Sequence, residues 1–232
     1  MQGVKLELKP QQLQGFQGTI KITDFTYVKM TIKVKVLKSK DMALKGQKTK
    51  SDFLKWEIMQ SLVLKLERDG ELKFALLIAT GSYIGLRISD LLQLRWYQLL
   101  NQQHFVITEK KTGKERRVTI NPELQEIIQR LFYKMDGKPE QFMFVNRFGK
   151  EPVSIQYINA KLKELFDKYG IRGQYSSHFM RKTLGRRVWE MNEYSDQALL
   201  LLSQLFNHTS TTTTKIYLGI REQEISNLYL SV

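Results

Sequence analysis

Six side chains in this 232-residue chain are of types that together could handle a phosphodiester: Arg87, Lys111, His178, Arg181, His208 and Tyr217. His178 and Arg181 stand three apart in a stretch that reads as helix, so they share one face. A guanidinium grips a phosphodiester with paired N–H donors and stays charged at any physiological pH. Attack on phosphorus spreads negative charge over the non-bridging oxygens, where two fixed guanidiniums help most. A tyrosine hydroxyl titrates near pH ~10 in water, so it needs positive surroundings or a base to attack well. The leaving sugar oxygen needs a proton, and a lysine on a mobile loop could supply it. Such a set needs no metal and no nucleotide, because a phosphotyrosine bond conserves the energy for rejoining. Singly, each residue has a plainer reading. Arg87 could pair with Asp90, Lys111 could be a solvated surface lysine, His178 a helix N-terminal hydrogen-bonding residue, and Tyr217 a half-buried core tyrosine.

Composition favours the phosphate reading. Lys and Arg total 37 against 23 acidic residues, a formal net charge of +14. That excess points first to nucleic acid and second to a membrane surface. Cysteine is absent, which excludes disulfides, thiolate metal sites and cysteine nucleophiles and fits a reducing cytosol. With only His104, His178 and His208, a histidine-rich metal site is not expected. The longest apolar run, Phe74 to Ala79, is far too short to span a bilayer, and Met1 to Pro10 lacks the apolar stretch of a signal peptide. No cofactor and no membrane are expected, and the location is cytoplasmic.

The elements that must position the six residues follow from periodicity. Residues 1–48 carry ten Lys against three acidic residues, half the net charge, and alternate apolar with polar at Val4, Leu6, Leu8 and at Met30, Ile32, Val34, Val36. A period of two marks half-buried strands, so this segment reads as a basic, β-rich appendage, with 38–50 as a polar linker. Residues 49–232 read as the catalytic domain, α+β and mainly α, with one small antiparallel sheet. Ser51 is placed to cap a first helix that Asp69-Gly70 stops. A second helix covers about Glu71 to Thr80 and ends at Gly81. A third starts near Gly85 and holds Arg87, Asp90, Leu91 and Leu94. Phe105–Thr108 and Arg116–Ile120 flank Lys110-Lys111-Thr112-Gly113 and predict a hairpin with a basic tip. Asn121-Pro122 opens the next helix, which runs to about Met135. A short strand is expected at Phe142–Val145. Ser154 caps a helix through Lys168, Ser177 precedes one from His178 to about Met191, and another spans Ser195–Phe206. Thr211–Tyr217 and Glu222–Leu230 read as short helices.

The same residues resemble the boxes of the tyrosine recombinases, the phage integrase family. Thr80-Gly81 with Gly85-Leu86-Arg87-Ile88-Ser89-Asp90-Leu91-Leu92 is similar to the first catalytic box. Lys111-Thr112-Gly113-Lys114-Glu115-Arg116 resembles the hairpin lysine motif. His178-Phe179-Met180-Arg181-Lys182-Thr183 resembles the His-x-x-Arg box. Phe206-Asn207-His208 stands where the family has Leu-Gly-His, and Tyr217 follows nine positions later. The likeness covers about 51–232, in order and with the right spacing. The last boxes, with Gly185-Arg186-Arg187-Val188-Trp189-Glu190, look like integrases of Bacteroides-type mobile elements.

The resemblance implies a site-specific recombinase or integrase acting on double-stranded DNA through a 3′-phosphotyrosine. It implies that Arg87 and Arg181 hold the phosphate, that His178 assists proton transfer and that His208 hydrogen-bonds the phosphate. Lys111 protonates the 5′-oxygen, with Lys114 as the competing choice, and Asp90 positions Arg87. It further implies a monomer in solution, a homo-tetramer on paired DNA sites, accessory DNA-bending or directionality proteins, and nucleoid association in a bacterial host. Two departures stand out. Residues 1–48 are too short and strand-like for the helical domain that family members use to close a clamp around DNA. Asn207 replaces a glycine, though Asn tolerates left-handed angles. A type IB-like topoisomerase and a non-catalytic or truncated DNA-binding regulator remain alternatives at this point. The apolar residues after Tyr217 could pack on their own core or on a neighbouring copy.

Overall fold

The computed structural model describes residues 51–231, the side chains of 221–224 excepted, so the expectations for residues 1–48 lie outside the described residues. The order is α1 (Trp56–Arg68), α2 (Leu72–Ile84), the single turns α3 (Ile88–Leu91) and α4 (Trp96–Leu99), and the strands β1 (His104–Thr108) and β2 (Glu115–Thr119). Then follow α5 (Pro122–Lys134), α6 (Ile155–Lys168), α7 (His178–Met191), α8 (Asp196–Leu205), α9 (Thr211–Leu218) and α10 (Ile220–Leu230).

The core is built around α2. Its sequence is apolar on every side, and every residue from Phe74 to Ser82 is buried, as a central helix requires. The helices around it bury one stripe each. α1 presents Met59, Leu62, Val63 and Leu66, and α5 presents Leu124, Ile128 and Leu131. α7 crosses α2 so closely that a Cβ on Gly81 would lie 2.5 Å from the Met180 sulfur. This is why Gly81 continues α2 rather than ending it. The helix stops at Gly85, which takes φ +66°, a conformation that costs glycine little.

Most expected boundaries hold. Asn121 accepts from the Glu123 N–H and Ser154 from the Tyr157 N–H, each capping its helix as the sequence suggested. The hairpin is antiparallel, with Phe105 opposite Val118 and Ile107 opposite Arg116. Besides the helix end expected at Gly81, three expectations do not hold. Ser51 caps nothing; α1 starts at Trp56, and the Ser51 hydroxyl accepts from the Ser176 N–H instead. Phe142–Val145 is no strand but makes isolated bridges, Arg95 with Phe142 and Val145 with Pro152. The third helix closes after a single turn at Leu91, and a separate turn, α4, follows.

The buried apolar residues form two clusters. The larger surrounds α2. The smaller holds Trp189 of α7, Ala198, Leu199 and Leu202 of α8, Phe206, Leu218 of α9 and Ile220. Beyond Ile220 the tail leaves its own core: Ile225, Leu228, Tyr229 and Leu230 are exposed. The two clusters meet where α7 passes under α9. A Cβ on Gly185 would sit 2.6 Å from Leu218 Cδ2 and 3.0 Å from Phe206 Cε2. Gly185→Ala should therefore overpack this crossing and lower stability by about 1–3 kcal/mol, read as a lower urea midpoint at unchanged slope.

Candidate active site

Two helix ends create the site. The last carbonyls of any helix lack intrahelical partners and carry partial negative charge. α2 ends by turning the Ile84 and Gly85 carbonyls inward. The turn after α8 does the same with Leu205 and Phe206. Three guanidiniums meet these oxygens. Arg181 donates to Gly85 O at 2.6 Å and to Phe206 O at 2.7 Å. Arg116 donates to Ile84 O at 3.2 Å and to Leu205 O at 3.3 Å. Arg87 donates to Phe206 O at 3.4 Å. Arg181 is only 4% exposed, and its guanidinium also stacks over the Phe206 ring. Burial pulls its pKa down to about 10, which leaves it charged at neutral pH.

A carboxylate completes the group. Glu109 Oε2 accepts from Arg87 at 2.6 Å, and its other oxygen lies 3.9 Å from Arg116. Burial alone would raise the Glu109 pKa, but hydrogen bonds from Arg87 and Thr112 and the nearby charge of Arg116 hold it below the usual value. Sequence reasoning missed Glu109 and missed Arg116 as a site residue. The signal was present. Inward positions alternate along the hairpin as Phe105, Ile107 and 109 on one strand and Val118 and 116 on the other, so both charged groups face the core and need each other. Asp90 does not hold Arg87. It is buried, and its Oδ1 accepts the Lys110 backbone N–H at 3.1 Å, which pins the base of the hairpin turn to α3.

The remaining residues gather around Phe206. Asn207 takes φ +51°, with its N–H on Gln204 O and the His208 N–H on Ser203 O at 2.8 Å. That pair of bonds closes α8 in a Schellman motif, and Asn serves where glycine is usual. It delivers His208, whose Nδ1 lies 3.0 Å from the Thr214 hydroxyl and whose ring centroid is 5.1 Å from that of Tyr217. The Tyr217 ring also meets Phe206 edge-on, at 5.8 Å. The Tyr217 hydroxyl is buried with no hydrogen-bond partner among the described residues. Burial pushes its pKa up to about 12, although Arg181 and Arg87 pull the other way.

His178 opens α7, exposed and one turn before Arg181. Partial desolvation, then Arg181, Lys182 and Arg87, hold its pKa below the ordinary histidine value. The structure thus brings Arg87, Arg181, His208 and Tyr217 into one group, with His178 at its edge. Lys111 stands apart on the exposed turn between β1 and β2, as does Lys114. Among the described residues no cluster of His, Asp or Glu could hold a metal ion, and no helix is long and apolar enough to cross a membrane.

The sequence profile of the phage integrase family matches residues 53–224. The chain belongs to the phage integrase family. YoeC of Bacillus subtilis, a probable integrase/recombinase, is 29% identical over 173 residues, which cover 75% of this chain and 89% of YoeC. A tyrosine recombinase of Thermosipho africanus is 26% identical over 75% of this chain, but only 59% of that protein is covered. The fold matches the XerA recombinase with a TM-score of 0.60 at 19% identity, over 80% of this chain and 66% of XerA. It matches the Tn1549 transposon integrase in complex with a circular intermediate DNA with a TM-score of 0.57 at 21% identity, over 75% of this chain and 62% of the other. Among the relatives described here, the family member therefore spans most of YoeC but about three fifths of the other sequence relative.

His208 gives the site a pH signature. Burial first, then Arg181 and Arg87, lower its pKa from 6.5 to about 4. Between those values the unfolded chain binds more protons than the folded one, so this contribution to stability is complete above 6.5 and drains away as pH falls towards 4. Urea midpoints followed down through this window should decline more steeply in the unaltered chain than in His208→Gln. Equal slopes would show that His208 is not held neutral.

Proposed function

We propose that the chain is a site-specific recombinase or integrase that breaks and rejoins double-stranded DNA, with residues 49–232 as its catalytic unit. The observation that carries this reading is the convergence of Arg87 and Arg181 on one carbonyl, beside a buried tyrosine hydroxyl that no described residue satisfies. A phosphate placed there would meet both guanidiniums and give that hydroxyl a partner. His208 Nδ1 is taken up by the Thr214 hydroxyl, which leaves Nε2 to face a phosphate oxygen and to donate to it when it carries the proton.

In the proposed reaction the Tyr217 oxygen attacks phosphorus. A Tyr O–P bond forms and the P–O5′ bond breaks. His178 takes up the phenol proton and Lys111 gives one to the departing 5′-oxygen. The 3′-phosphotyrosine is then attacked by a 5′-hydroxyl in the reverse sense, which restores the tyrosine. Burial holds the Tyr217 pKa up, and the opposing pull of Arg181 and Arg87 is what eases loss of the phenol proton. On DNA we envisage four copies on paired sites, with the exposed apolar side of α10 available to a neighbour, and accessory DNA-bending or directionality proteins as further partners.

Duplexes enriched by binding to the full chain, then nicked next to the cleavage point, serve as trapping substrates. A covalent protein–DNA product on denaturing gels is expected with the unaltered chain and not with Tyr217→Phe; the same product from both would remove Tyr217 from the nucleophile role. Lys111→Ala should slow cleavage roughly 10²–10⁴-fold. A substrate with sulfur in place of the bridging 5′-oxygen should recover that loss, because a thiolate leaves without a proton. If Lys111→Ala is harmless and Lys114→Ala shows this pattern, the acid is Lys114.

A further inference from the structure

Lys182 follows Arg181 on α7 and is 8% exposed. A buried ammonium is costly unless it is well partnered, and a methionine would fill the same space without that cost. Two of its contacts explain what the charge is for. Nζ donates to the Ser51 carbonyl at 2.6 Å and lies 5.3 Å from the centroid of the Tyr217 ring. The ammonium thus bridges the segment at 51–54 and the tyrosine.

That segment is stitched to the α7 side of the site. The Leu54 N–H donates to the Thr183 hydroxyl at 3.0 Å. Asp52 and Gln174 exchange two bonds, each of 2.7 Å. The Ser176 N–H donates to the Ser51 hydroxyl at 3.1 Å. Four attachments fix where the Ser51 carbonyl stands, and the carbonyl fixes the ammonium. α9 rests on the small cluster, where Phe206 and His208 meet the ring of Tyr217, and Lys182 is the cation over that ring.

We propose that Lys182 is a positioning residue for Tyr217, and that through it the pose of the tyrosine depends on the 51–54 segment before α1. This rests on Tyr217 being the nucleophile. The charged groups facing the ring are Lys182 and Arg181 from α7 and Arg87 from the start of α3. The two arginines hold oxygens; Lys182 acts on the ring face, where a cation attracts the π-system and steadies the ring rather than exchanging protons with the hydroxyl.

The test is single-turnover covalent trapping on the nicked duplexes with the full chain, its Lys182→Met, Lys182→Arg and Ser51→Ala forms, and the double variant. Lys182→Met should slow cleavage roughly 3- to 30-fold, the range a cation–ring attraction supports. The DNA dissociation constant and the shape of the pH–rate profile should not change. Lys182→Arg should restore most of the rate. Ser51→Ala removes the hydroxyl that ties Ser51 to Ser176; it should slow cleavage several-fold alone and add nothing to Lys182→Met, since the hydroxyl acts only through the placing of the carbonyl that Lys182 bonds. A displaced pH profile would make Lys182 an acid or base and overturn the positioning role. Multiplying effects of the two single variants would overturn the link to the 51–54 segment. If Lys182→Met does not fold by thermal melting, Ser51→Ala still decides: cleavage at the unaltered rate overturns the proposal. A covalent product formed equally fast by the unaltered chain and by Lys182→Met sinks this inference alone. No product from the unaltered chain sinks the phosphotyrosine reading and this inference together.

Discussion

Helix C-termini attract cations, and here two of them are aimed at the same small volume. The ends of α2 and of α8 offer four carbonyls, and Arg87, Arg116 and Arg181 are gathered on them. Placing three like charges together in a poorly hydrated pocket is unfavourable without such compensation. The partial charges of the two helix ends and the carboxylate of Glu109 offset it incompletely, which leaves the pocket positive. An anion is the partner such a pocket lacks. Much of the rest of the fold follows from the need to bring those two helix ends together: α2 must be central, and α7 must pass close enough to insert Arg181 between them.

The close passage of α7 sets its own sequence demands. Gly81 on α2 and Gly185 on α7 remove side chains where Met180 and Leu218 come nearest. His178, Arg181 and Lys182 follow one another within little more than a turn of α7. One helix thereby supplies both the most buried guanidinium of the pocket and the cation over the Tyr217 ring. Hairpin and helices are joined by Asp90, whose carboxylate fixes the base of the β1–β2 turn while leaving its lysines in solvent.

Helix positions were largely legible in the sequence because caps and apolar stripes are local signals. Asn121-Pro122 and Ser154 reported their helices through the side-chain bonds that they make in the structure. Errors arose where tertiary contacts overrode a local cue. Ser51 looks like a cap but is recruited by Ser176. Gly81 looks like a stop but is required by Met180. Arg87, Arg181, His208 and Tyr217 were recognisable by type and spacing, whereas Glu109, Arg116 and the partnerships among these residues were not. Asp90 lies three residues from Arg87 and suggests a pair, yet the partner is Glu109, on a different element. Only the alternation of the hairpin pointed there, and it becomes informative once strand register is known.

The division of the apolar residues into two clusters has a bearing on when this chain is reactive. The guanidiniums span the two, bonding the Ile84 and Gly85 carbonyls at the end of α2 and the Leu205 and Phe206 carbonyls beside the small cluster, while Tyr217 rides on α9 over the small one. Segments with few buried contacts open at a lower free energy than the whole domain does. Were the small cluster to open by itself, Tyr217 and half of the arginines' anchorage would leave together, so the tyrosine and its cationic surround are gained or lost as one.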